Sequence, residues 1–228
     1  YRILQFLGRG GMGVVYRVEH VHIGKVMAMK LLHGELARDR DTIKRFRREA
    51  EAPSKLSHPN TVQVFDFGSS QGLMYLVMEY VDGRDLGQVI RDAGKLDFAR
   101  VARLTAQVCG SVAEAHRLGI VHRDIKPENI MLQSFAGHGL FVKVLDFGLA
   151  KFTEDRSATS LLLGTPAYMA YEQLMRGPLG PWTDLYALGV LAFELMTGKR
   201  PYGGAGVQET LALKLDTTFD PWTRVEAL

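Results

Sequence analysis

The chain has 228 residues, of which 46% are hydrophobic and 23% charged, a balance that excludes a disordered or fibrous protein. Basic residues exceed acidic ones by only three, too few to indicate binding to nucleic acid or to a membrane surface. The single cysteine cannot form an internal disulfide, and no apolar run reaches the roughly 18 residues that a membrane span needs. Since the chain begins without Met or a signal peptide, we expect a cytoplasmic domain of a longer protein, whose membrane anchor would lie outside this segment.

The first 80 residues are predicted to be rich in strands. Residues 38–55 carry many charges, with apolar residues three and four positions apart, which predicts an amphipathic helix. Pro53 is expected to kink or end that helix, because proline lacks the N–H that the helix needs. Short apolar or alternating runs punctuated by glycines predict strands at residues 1–7, 14–21, 25–32, 61–67 and 73–80.

The pattern becomes helical after residues 82–83. Apolar residues recur three and four apart between positions 98 and 115, which predicts a long helix with one buried face. Cys109 lies beside that face and is expected to be buried. Residues 182–197 are apolar on nearly all sides, as in a buried central helix, and Gly198 is expected to end it.

A strand-rich part therefore precedes a helix-rich part, which predicts an α+β fold of two lobes. The N-terminal lobe is expected to span residues 1–81 and the C-terminal lobe residues 82–228, with a hinge near residues 79–82. Two short strands are predicted inside the C-terminal lobe, around residues 130–132 and 141–145.

Five polar or glycine-rich motifs stand out. Gly8-Arg9-Gly10-Gly11-Met12-Gly13 lies between two predicted strands, where glycines would let backbone N–H groups approach phosphate oxygens. A plain hairpin turn explains the same residues equally well, and a Rossmann fold is disfavoured because the chain continues as a strand. Each of the other motifs also has an ordinary explanation alone, such as a solvated lysine, a surface carboxylate or a turn. They are Lys30, Glu49, His122-Arg123-Asp124-Ile125-Lys126-Pro127-Glu128-Asn129 and Asp146-Phe147-Gly148.

The order and spacing of these motifs resemble the catalytic domain of protein kinases. Lys30 follows the first glycine by 22 residues, and Glu49 follows Lys30 by 19. Asn129 lies five residues after Asp124, and Asp146 lies 17 residues after Asn129. No single motif distinguishes a functional site from an ordinary structural feature, but the five motifs in this order do.

The match is closest to the eukaryotic-type Ser/Thr kinases of bacteria. Gly-Gly-Met-Gly in the loop and Phe-Arg-Arg-Glu-Ala on the charged helix are typical of that group, and Lys126 favours the Ser/Thr class over tyrosine kinases. Residues 164–172 resemble the segment that closes the activation loop, and residues 184–189 resemble the start of the helix beneath it. The resemblance covers nearly the whole chain. It implies a protein-kinase-like two-lobe fold that transfers the γ-phosphoryl group of ATP, with Mg²⁺, to Ser or Thr hydroxyls of proteins.

The resemblance also implies a role for each charged residue. Asp124 is expected to accept or orient the proton of the acceptor hydroxyl, and Lys126 to steady the γ-phosphate. Lys30, held by Glu49, is expected to pair with the α- and β-phosphates. The expected Mg²⁺ ligands, which must be oxygen donors, are Asn129 and Asp146.

The nucleotide is expected in the cleft between the lobes. By the resemblance, Met78 would be the gatekeeper, the backbone of Glu79 and Val81 would bond the adenine edge, and Asp85 would meet the ribose hydroxyls. The adenine ring would lie between Val15, Ala28 and Met131. The whole expected nucleotide-binding set is Gly8, Gly10, Gly11, Gly13, Val15, Ala28, Lys30, Met78, Glu79, Val81, Asp85 and Met131.

Activation-loop phosphorylation is the expected regulation. Arg123 directly precedes Asp124, the arrangement found in kinases that are switched on in this way. Thr159 and Ser160 are the expected phosphorylation sites, since a phosphate there could pair with the Arg123 guanidinium. Thr165 lies in a Gly-Thr-Pro turn and, by resemblance, bonds the catalytic loop, so it is the less favoured switch.

Three features depart from the kinase pattern. Tyr171 stands where the family usually has proline, and Pro53 lies four residues after Glu49, where it removes a helical hydrogen bond. The chain also ends soon after Gly198, before the arginine that usually pairs with Glu172.

These departures keep open a second interpretation, a pseudokinase or nucleotide-sensing scaffold without turnover, although the phosphoryl-transfer residues disfavour it. A small-molecule phosphotransferase is a third interpretation, which the intact activation segment disfavours; the sequence does not predict the oligomeric state.

Overall fold

A computed structural model describes residues 1–10, 13–32, 53–70, 72–135, 139–147, 166–204 and 206–225. Within these ranges, the N-terminal part is a five-stranded antiparallel sheet with the strand order β1-β2-β3-β5-β4. Its strands are β1 (Arg2–Gly10), β2 (Gly13–Glu19), β3 (Val26–Leu32), β4 (Val64–Ser70) and β5 (Leu73–Glu79). All five predicted strands are present, and the differences lie at their ends.

Two strand ends differ from the prediction for identifiable reasons. β1 continues to Gly10 because the glycine-rich stretch keeps pairing with β2, as far as Gly10 opposite Gly13. The strand predicted at residues 61–67 begins only at Val64, because Thr61 instead forms an isolated parallel bridge with Val144. The helix predicted at residues 38–55 lies outside the described residues, except for a 3-10 turn at its end.

Both faces of the N-terminal sheet bury apolar side chains. Alternate residues of β3 point to opposite sides, so Ala28 joins one cluster while Met27 and Met29 join the other. The Ala28 face also holds Met78 of β5, which pairs directly with Ala28 in the register. This face is the one that borders the C-terminal part, because the same cluster includes Met131.

The C-terminal part is mainly helical. Residues Leu104 and Val108 of its longest helix pack against Leu191 and Leu195 of the apolar helix, and all four are almost fully buried. The helices are α1 (Leu86–Ala93), α2 (Phe98–Arg117), the single turn α3 (Tyr171–Leu174), α4 (Pro181–Thr197) and α5 (Val207–Leu215). A three-stranded sheet lies beside them and contains β6 (Arg84–Asp85), β7 (Ile130–Phe135) and β8 (Gly139–Val144). The long helix, the central helix and both short strands predicted for this part are therefore present.

Side chains and a glycine mark the ends of the main helices. Asp97 caps the start of α2, where its carboxylate accepts the backbone N–H of Arg100 at 2.9 Å. Gly198 ends α4 as predicted, in a left-handed conformation with φ 71° that glycine adopts without strain. Among the described helices, none combines the length and the apolarity of a membrane span.

The prediction that Cys109 is buried is wrong. Its thiol is exposed, whereas Val108 and Val112 are 1% and 2% exposed. Successive helical residues are rotated by about 100° around the axis, so a residue next to the buried stripe in sequence can face solvent.

Two kinds of contact join the N-terminal sheet to the C-terminal part. The Val62 N–H donates to the Val144 carbonyl at 2.9 Å, and the Val144 N–H donates to the Asn60 carbonyl at 2.7 Å. At the predicted hinge, Lys143 Nζ of β8 donates to Glu79 Oε2 of β5 at 2.7 Å. These contacts fix the cleft between the two sheets, where the candidate site lies.

Candidate functional site

The polar loop that follows Val121 folds around one carboxylate. Asn129 Nδ2 donates to the Asp124 carbonyl at 2.7 Å and to Asp124 Oδ2 at 2.9 Å. Lys126 Nζ donates to the same Oδ2 at 2.7 Å. Pro127 begins a 3-10 turn that brings Asn129 back over the loop. The structure therefore brings three predicted site residues into one hydrogen-bonded group.

Buried polar groups beneath the loop hold its backbone. Asp184 of α4 is 1% exposed and accepts the backbone N–H groups of His122 at 2.9 Å and Arg123 at 2.7 Å. His116 Nε2 lies 2.7 Å from the same carboxylate. A buried carboxylate that accepts several N–H groups is satisfied despite its burial, so α4 fixes the backbone of the loop that contains Asp124.

His122 connects this loop to the strand that leads to Asp146. Its Nδ1 accepts the Asp124 N–H at 3.2 Å, so the proton lies on Nε2, which donates to the Leu145 carbonyl at 2.8 Å. The imidazole is fully buried and packs on the Phe147 ring, with centroids 4.6 Å apart. The His122 side chain thereby joins two predicted site segments, the loop around Asp124 and the strand that leads to Asp146.

Two site residues adopt left-handed backbone conformations that side chains other than glycine rarely take. Arg123 has φ 69° and Asp146 has φ 56°. The Arg123 backbone is fixed on both sides, because its N–H reaches Asp184 and its carbonyl accepts Gln173 Nε2 at 2.8 Å. Such conformations cost about 1–3 kcal/mol each and cluster at functional sites.

Lys30 and Asp146 form an ion pair across the cleft. Lys30 Nζ of β3 lies 2.8 Å from Asp146 Oδ2, and the lysine side chain is only 12% exposed. Burial by itself would raise the pKa of Asp146, but the Lys30 charge and hydrogen bond outweigh it and hold that pKa below its ordinary value. The pair keeps Asp146 ionised, as a metal ligand must be.

Asn129 and Asp146 suit a hard cation. The Leu145 N–H donates to the Asn129 carbonyl at 2.9 Å, which places the two predicted ligands on adjacent backbone segments. Asn129 uses its amide nitrogen on Asp124, so its amide oxygen is the atom available as a ligand. An ionised carboxylate and an amide oxygen are donors that Mg²⁺ accepts. No group of three or more His, Cys, Asp or Glu that could hold a metal occurs among the described residues, so the candidate site consists of one carboxylate and one amide.

The predicted adenine pocket is assembled from both parts of the chain. Ala28 and Met78 pair across β3 and β5, and Val15 and Met131 pack against the same cluster. Val81, just after β5, is 8% exposed and belongs to it as well. The structure therefore brings all five apolar pocket residues together.

The glycine-rich hairpin has one crowded and one open glycine. A Cβ at Gly13 would collide with the Leu31 carbonyl oxygen of β3, whereas a Cβ at Gly8 would meet nothing within 4 Å. Gly13 is therefore required for the close approach of β2 to β3, while Gly8 borders open space. Gly10 ends β1, and Gly11 lies outside the described residues.

Two predicted nucleotide-binding residues also have structural contacts. The Glu79 side chain accepts from Lys143, so only its backbone is a candidate for adenine. The Asp85 carboxylate caps α1, where it accepts the Gln88 N–H at 2.8 Å. The cap leaves the second carboxylate oxygen of Asp85 as a candidate for ribose.

A cavity lies behind the gatekeeper position. Its walls include Met78, Asp146, Phe147 and Pro53, and its volume is about 20 Å³, enough for about one water molecule. Pro53 was predicted to disturb the preceding helix; it is buried and begins a 3-10 turn at the cavity wall.

The segment after the activation loop accommodates Tyr171, and its neighbour Glu172 has a hydrogen-bond partner. Tyr171 occupies the first position of α3, where a backbone N–H has no helical partner, so the usual proline is dispensable there. Glu172 accepts the Thr183 hydroxyl at 2.7 Å, which ties α3 to the start of α4. The remaining predicted site residues lie outside the described residues; they are Glu49, Thr159, Ser160 and Thr165.

Two residues that organise the site were not among the predicted site residues. Asp184 holds the loop that contains Asp124; it begins the stretch 184–189 that the resemblance pointed out, but no role was predicted for its carboxylate. Gln173 joins α3 to the same loop, and no sequence signal indicated it.

Comparison with known proteins agrees with this geometry. The model of the protein kinase domain family matches residues 1–225. The chain is 42% identical over 209 residues to the serine/threonine-protein kinase pkn3 of Myxococcus xanthus, and 38% identical over 216 residues to PrkC of Bacillus subtilis. These matches cover 89% and 94% of the chain but only 38% and 33% of the two relatives, so the chain spans about a third of their length.

A solved structure shows the same fold. The crystal structure of the Mycobacterium tuberculosis PknI kinase domain superposes with a TM-score of 0.70 at 31% sequence identity, covering 87% of this chain and 75% of that one. The two-lobe α+β fold predicted from the sequence is therefore confirmed. With the family match over residues 1–225 and bacterial relatives near 40% identity, the chain belongs to the protein kinase family, as a kinase domain of the serine/threonine type.

Proposed function

We propose that this domain transfers the γ-phosphoryl group of ATP to Ser or Thr hydroxyls of protein substrates. The observation that carries the proposal is the hydrogen-bonded group of Asp124, Lys126 and Asn129, held one backbone contact away from the Lys30–Asp146 pair. A carboxylate beside an ammonium suits the transfer of a phosphoryl group to a hydroxyl, since one orients the nucleophile and the other neutralises phosphate oxygens.

Each charged residue would act where phosphate charge is greatest. Asp124 Oδ2 would accept or orient the hydroxyl proton, while Lys126, only 2.7 Å away, would contact the γ-phosphate. Lys30 would contact the α- and β-phosphates, with Glu49 as its proposed second partner. Asn129 and Asp146 would hold Mg²⁺, which when bound neutralises the charge of the phosphates.

The nucleotide would enter the pocket beneath the N-terminal sheet. Val15 and Ala28 would cover one face of adenine and Met131 the other, since all three pack in one cluster. The backbone of Glu79 and Val81 would bond the adenine edge next to the gatekeeper Met78. The glycines of the hairpin would cover the phosphates, and residues 1–81 and 82–228 would act as the two lobes around the nucleotide.

Phosphorylation of Thr159 or Ser160 would regulate the domain. A phosphate adds about −1.5 to −2 charges and three acceptor oxygens, which the Arg123 guanidinium could bind in a bidentate contact. Mass spectrometry after incubation with Mg-ATP should find the phosphate there, and the double alanine variant should be slower. An active kinase unmodified at both residues, with a double variant as fast as the parent, contradicts this part of the proposal.

Radiolabel transfer tests the proposed activity. The protein is incubated with γ-labelled ATP and Mg²⁺, alone and with mixed histones, and the Asp146→Asn variant serves as the control. The kinase proposal is supported if label appears on the protein or on histones with the parent but not with the Asp146→Asn variant. A folded protein that binds ATP but transfers nothing would instead be a nucleotide-sensing scaffold. The protein substrates and the cytoplasmic location are proposed on the same family resemblance.

A further inference from the structure

Residues 166–170, which follow the activation loop, are packed onto α4 from one side. Ala167 and Tyr168 are 2% and 6% exposed and share a cluster with Val190 of α4. The Tyr168 hydroxyl donates to the Glu194 carboxylate, and burial raises the pKa of that carboxyl. The segment is thus anchored by its side chains to the helix that also carries the catalytic loop.

Lys214 of α5 holds the same segment by its backbone. Its Nζ donates to the Met169 carbonyl at 2.5 Å and to the Tyr186 hydroxyl at 3.2 Å. The ammonium also lies over the rings of Tyr186 and Tyr202, 4.8 Å and 5.3 Å from their centroids. No sequence motif includes α5, so only the fold connects Lys214 with the site.

The surroundings of Lys214 are unusual for a lysine. Burial lowers its pKa to about 7, and among the described residues no carboxylate forms an ion pair with it. A lysine at a surface keeps its hydration, whereas Lys214 has lost part of its hydration and contacts protein atoms instead. The contact that packing alone does not explain is the hydrogen bond to the Met169 carbonyl.

The segment held by Lys214 leads directly to the catalytic loop. The Ala170 N–H donates to Gln173 Oε1 at 2.9 Å, and Gln173 Nε2 donates to the Arg123 carbonyl, next to Asp124. A shift of the Met169 backbone would therefore move a segment that borders the site of the acceptor hydroxyl.

We propose that Lys214 is a positioning residue for the protein substrate, which it serves by fixing the Met169 carbonyl and hence the backbone of residues 166–170. The effect on transfer rests on the proposed kinase activity, whereas the effect on the backbone does not. Lys214 touches neither nucleotide nor acceptor hydroxyl in this role, so binding of ATP is independent of it.

Two measurements on Lys214→Met test the proposal, with the exposed lysine variant Lys95→Met as the matched control. Hydrogen exchange should show faster exchange of the amides of residues 166–170 in Lys214→Met and no change in Lys95→Met. With mixed histones as acceptor, KM for the histones should rise about tenfold, the size expected for the loss of one hydrogen bond, while KM for ATP stays within about twofold. Lys214→Arg, which keeps a charged donor, should recover most of both effects.

The outcomes separate this proposal from the proposed function. Unchanged amide exchange in a folded Lys214→Met protein overturns the positioning role, whether or not the protein is a kinase. Equal losses for histones and ATP, or no rescue by Lys214→Arg, also overturn it, because they indicate general damage to the fold. If the parent protein transfers no phosphate, the kinase proposal fails, and the exchange data still decide whether Lys214 fixes the segment.

Discussion

At the scale of single residues, the site balances its charges in pairs. Asp124 is matched with Lys126 and Asp146 with Lys30, each at hydrogen-bond distance. The phosphates of a nucleotide would add several negative charges to this site. We therefore expect both lysines to turn from their aspartates toward phosphate oxygens when a nucleotide binds, and Mg²⁺ to compensate Asp146.

Replacing Lys30 tests that exchange of partners. Lys30→Met should abolish phosphoryl transfer and leave the fold intact, because a methionine fills similar space but cannot neutralise phosphates or pair with Asp146. Radiolabel transfer measures the activity, and thermal unfolding checks that the protein is folded. Near-normal transfer by a folded Lys30→Met protein would remove Lys30 from the mechanism.

Replacing Asp124 separates catalysis from binding. Asp124→Asn should lower kcat by about 10²–10⁴-fold, the usual contribution of a positioned general base, with a much smaller change in KM for ATP. Steady-state kinetics measure both, and Asp92→Asn, a change of an exposed carboxylate, is the control. A kcat equal to that of the parent is incompatible with the proposed role.

At the scale of elements, the sequence predicted which strands and helices form better than it predicted where they begin and end. The pairing of Gly10 with Gly13 extended β1 past its predicted end, because composition suggests a turn where backbone pairing still continues. The loop containing Asp124 and the strand before Asp146 could be predicted because local motifs define them. The contact that Lys214 of α5 makes could not be predicted, since its partner Met169 lies 45 positions earlier in the chain.

Two of the glycines in the β1–β2 hairpin, Gly8 and Gly13, should respond differently to alanine. Gly13→Ala places a Cβ against the Leu31 carbonyl of β3, so it should lower the free energy of unfolding by about 1–3 kcal/mol. Gly8→Ala meets no neighbour within 4 Å and should change it by less than about 0.5 kcal/mol. Urea unfolding of both variants measures the difference, and equal losses would contradict the close approach of β2 to β3.

At the scale of the whole molecule, the site exists only because distant segments meet. Lys30 and Asp146 are 116 positions apart, and Ala28 shares its cluster with Met131 of the other lobe. Family resemblance could predict these contacts between distant segments, whereas composition and periodicity could not, since they describe one element at a time. The resemblance in turn did not indicate contacts such as the hydrogen bond from the Thr183 hydroxyl to Glu172.

The pH dependence of global stability should carry the signature of Lys214. Burial lowers its folded pKa to about 7, while an unfolded chain has the ordinary value near 10.5. Between these values the unfolded chain binds a proton that the folded chain has released, so this group stabilises the fold increasingly as pH rises. The groups that face Lys214 are the Met169 carbonyl and the rings of Tyr186 and Tyr202, and burial raises the pKa of Tyr186 above this range.

We therefore expect the stability of the parent relative to Lys214→Met to increase from pH 7 to pH 9, by at most about 1.4 kcal/mol per pH unit, and to stay flat below pH 6. Urea unfolding at pH 5.5, 7, 8 and 9 measures the free energy of both proteins, and the difference cancels every other titrating group. Lys95→Met, a change of an exposed lysine, is measured in the same way as the matched control. A difference that is flat across the range would show that the Lys214 ammonium is as well solvated in the folded protein as in water.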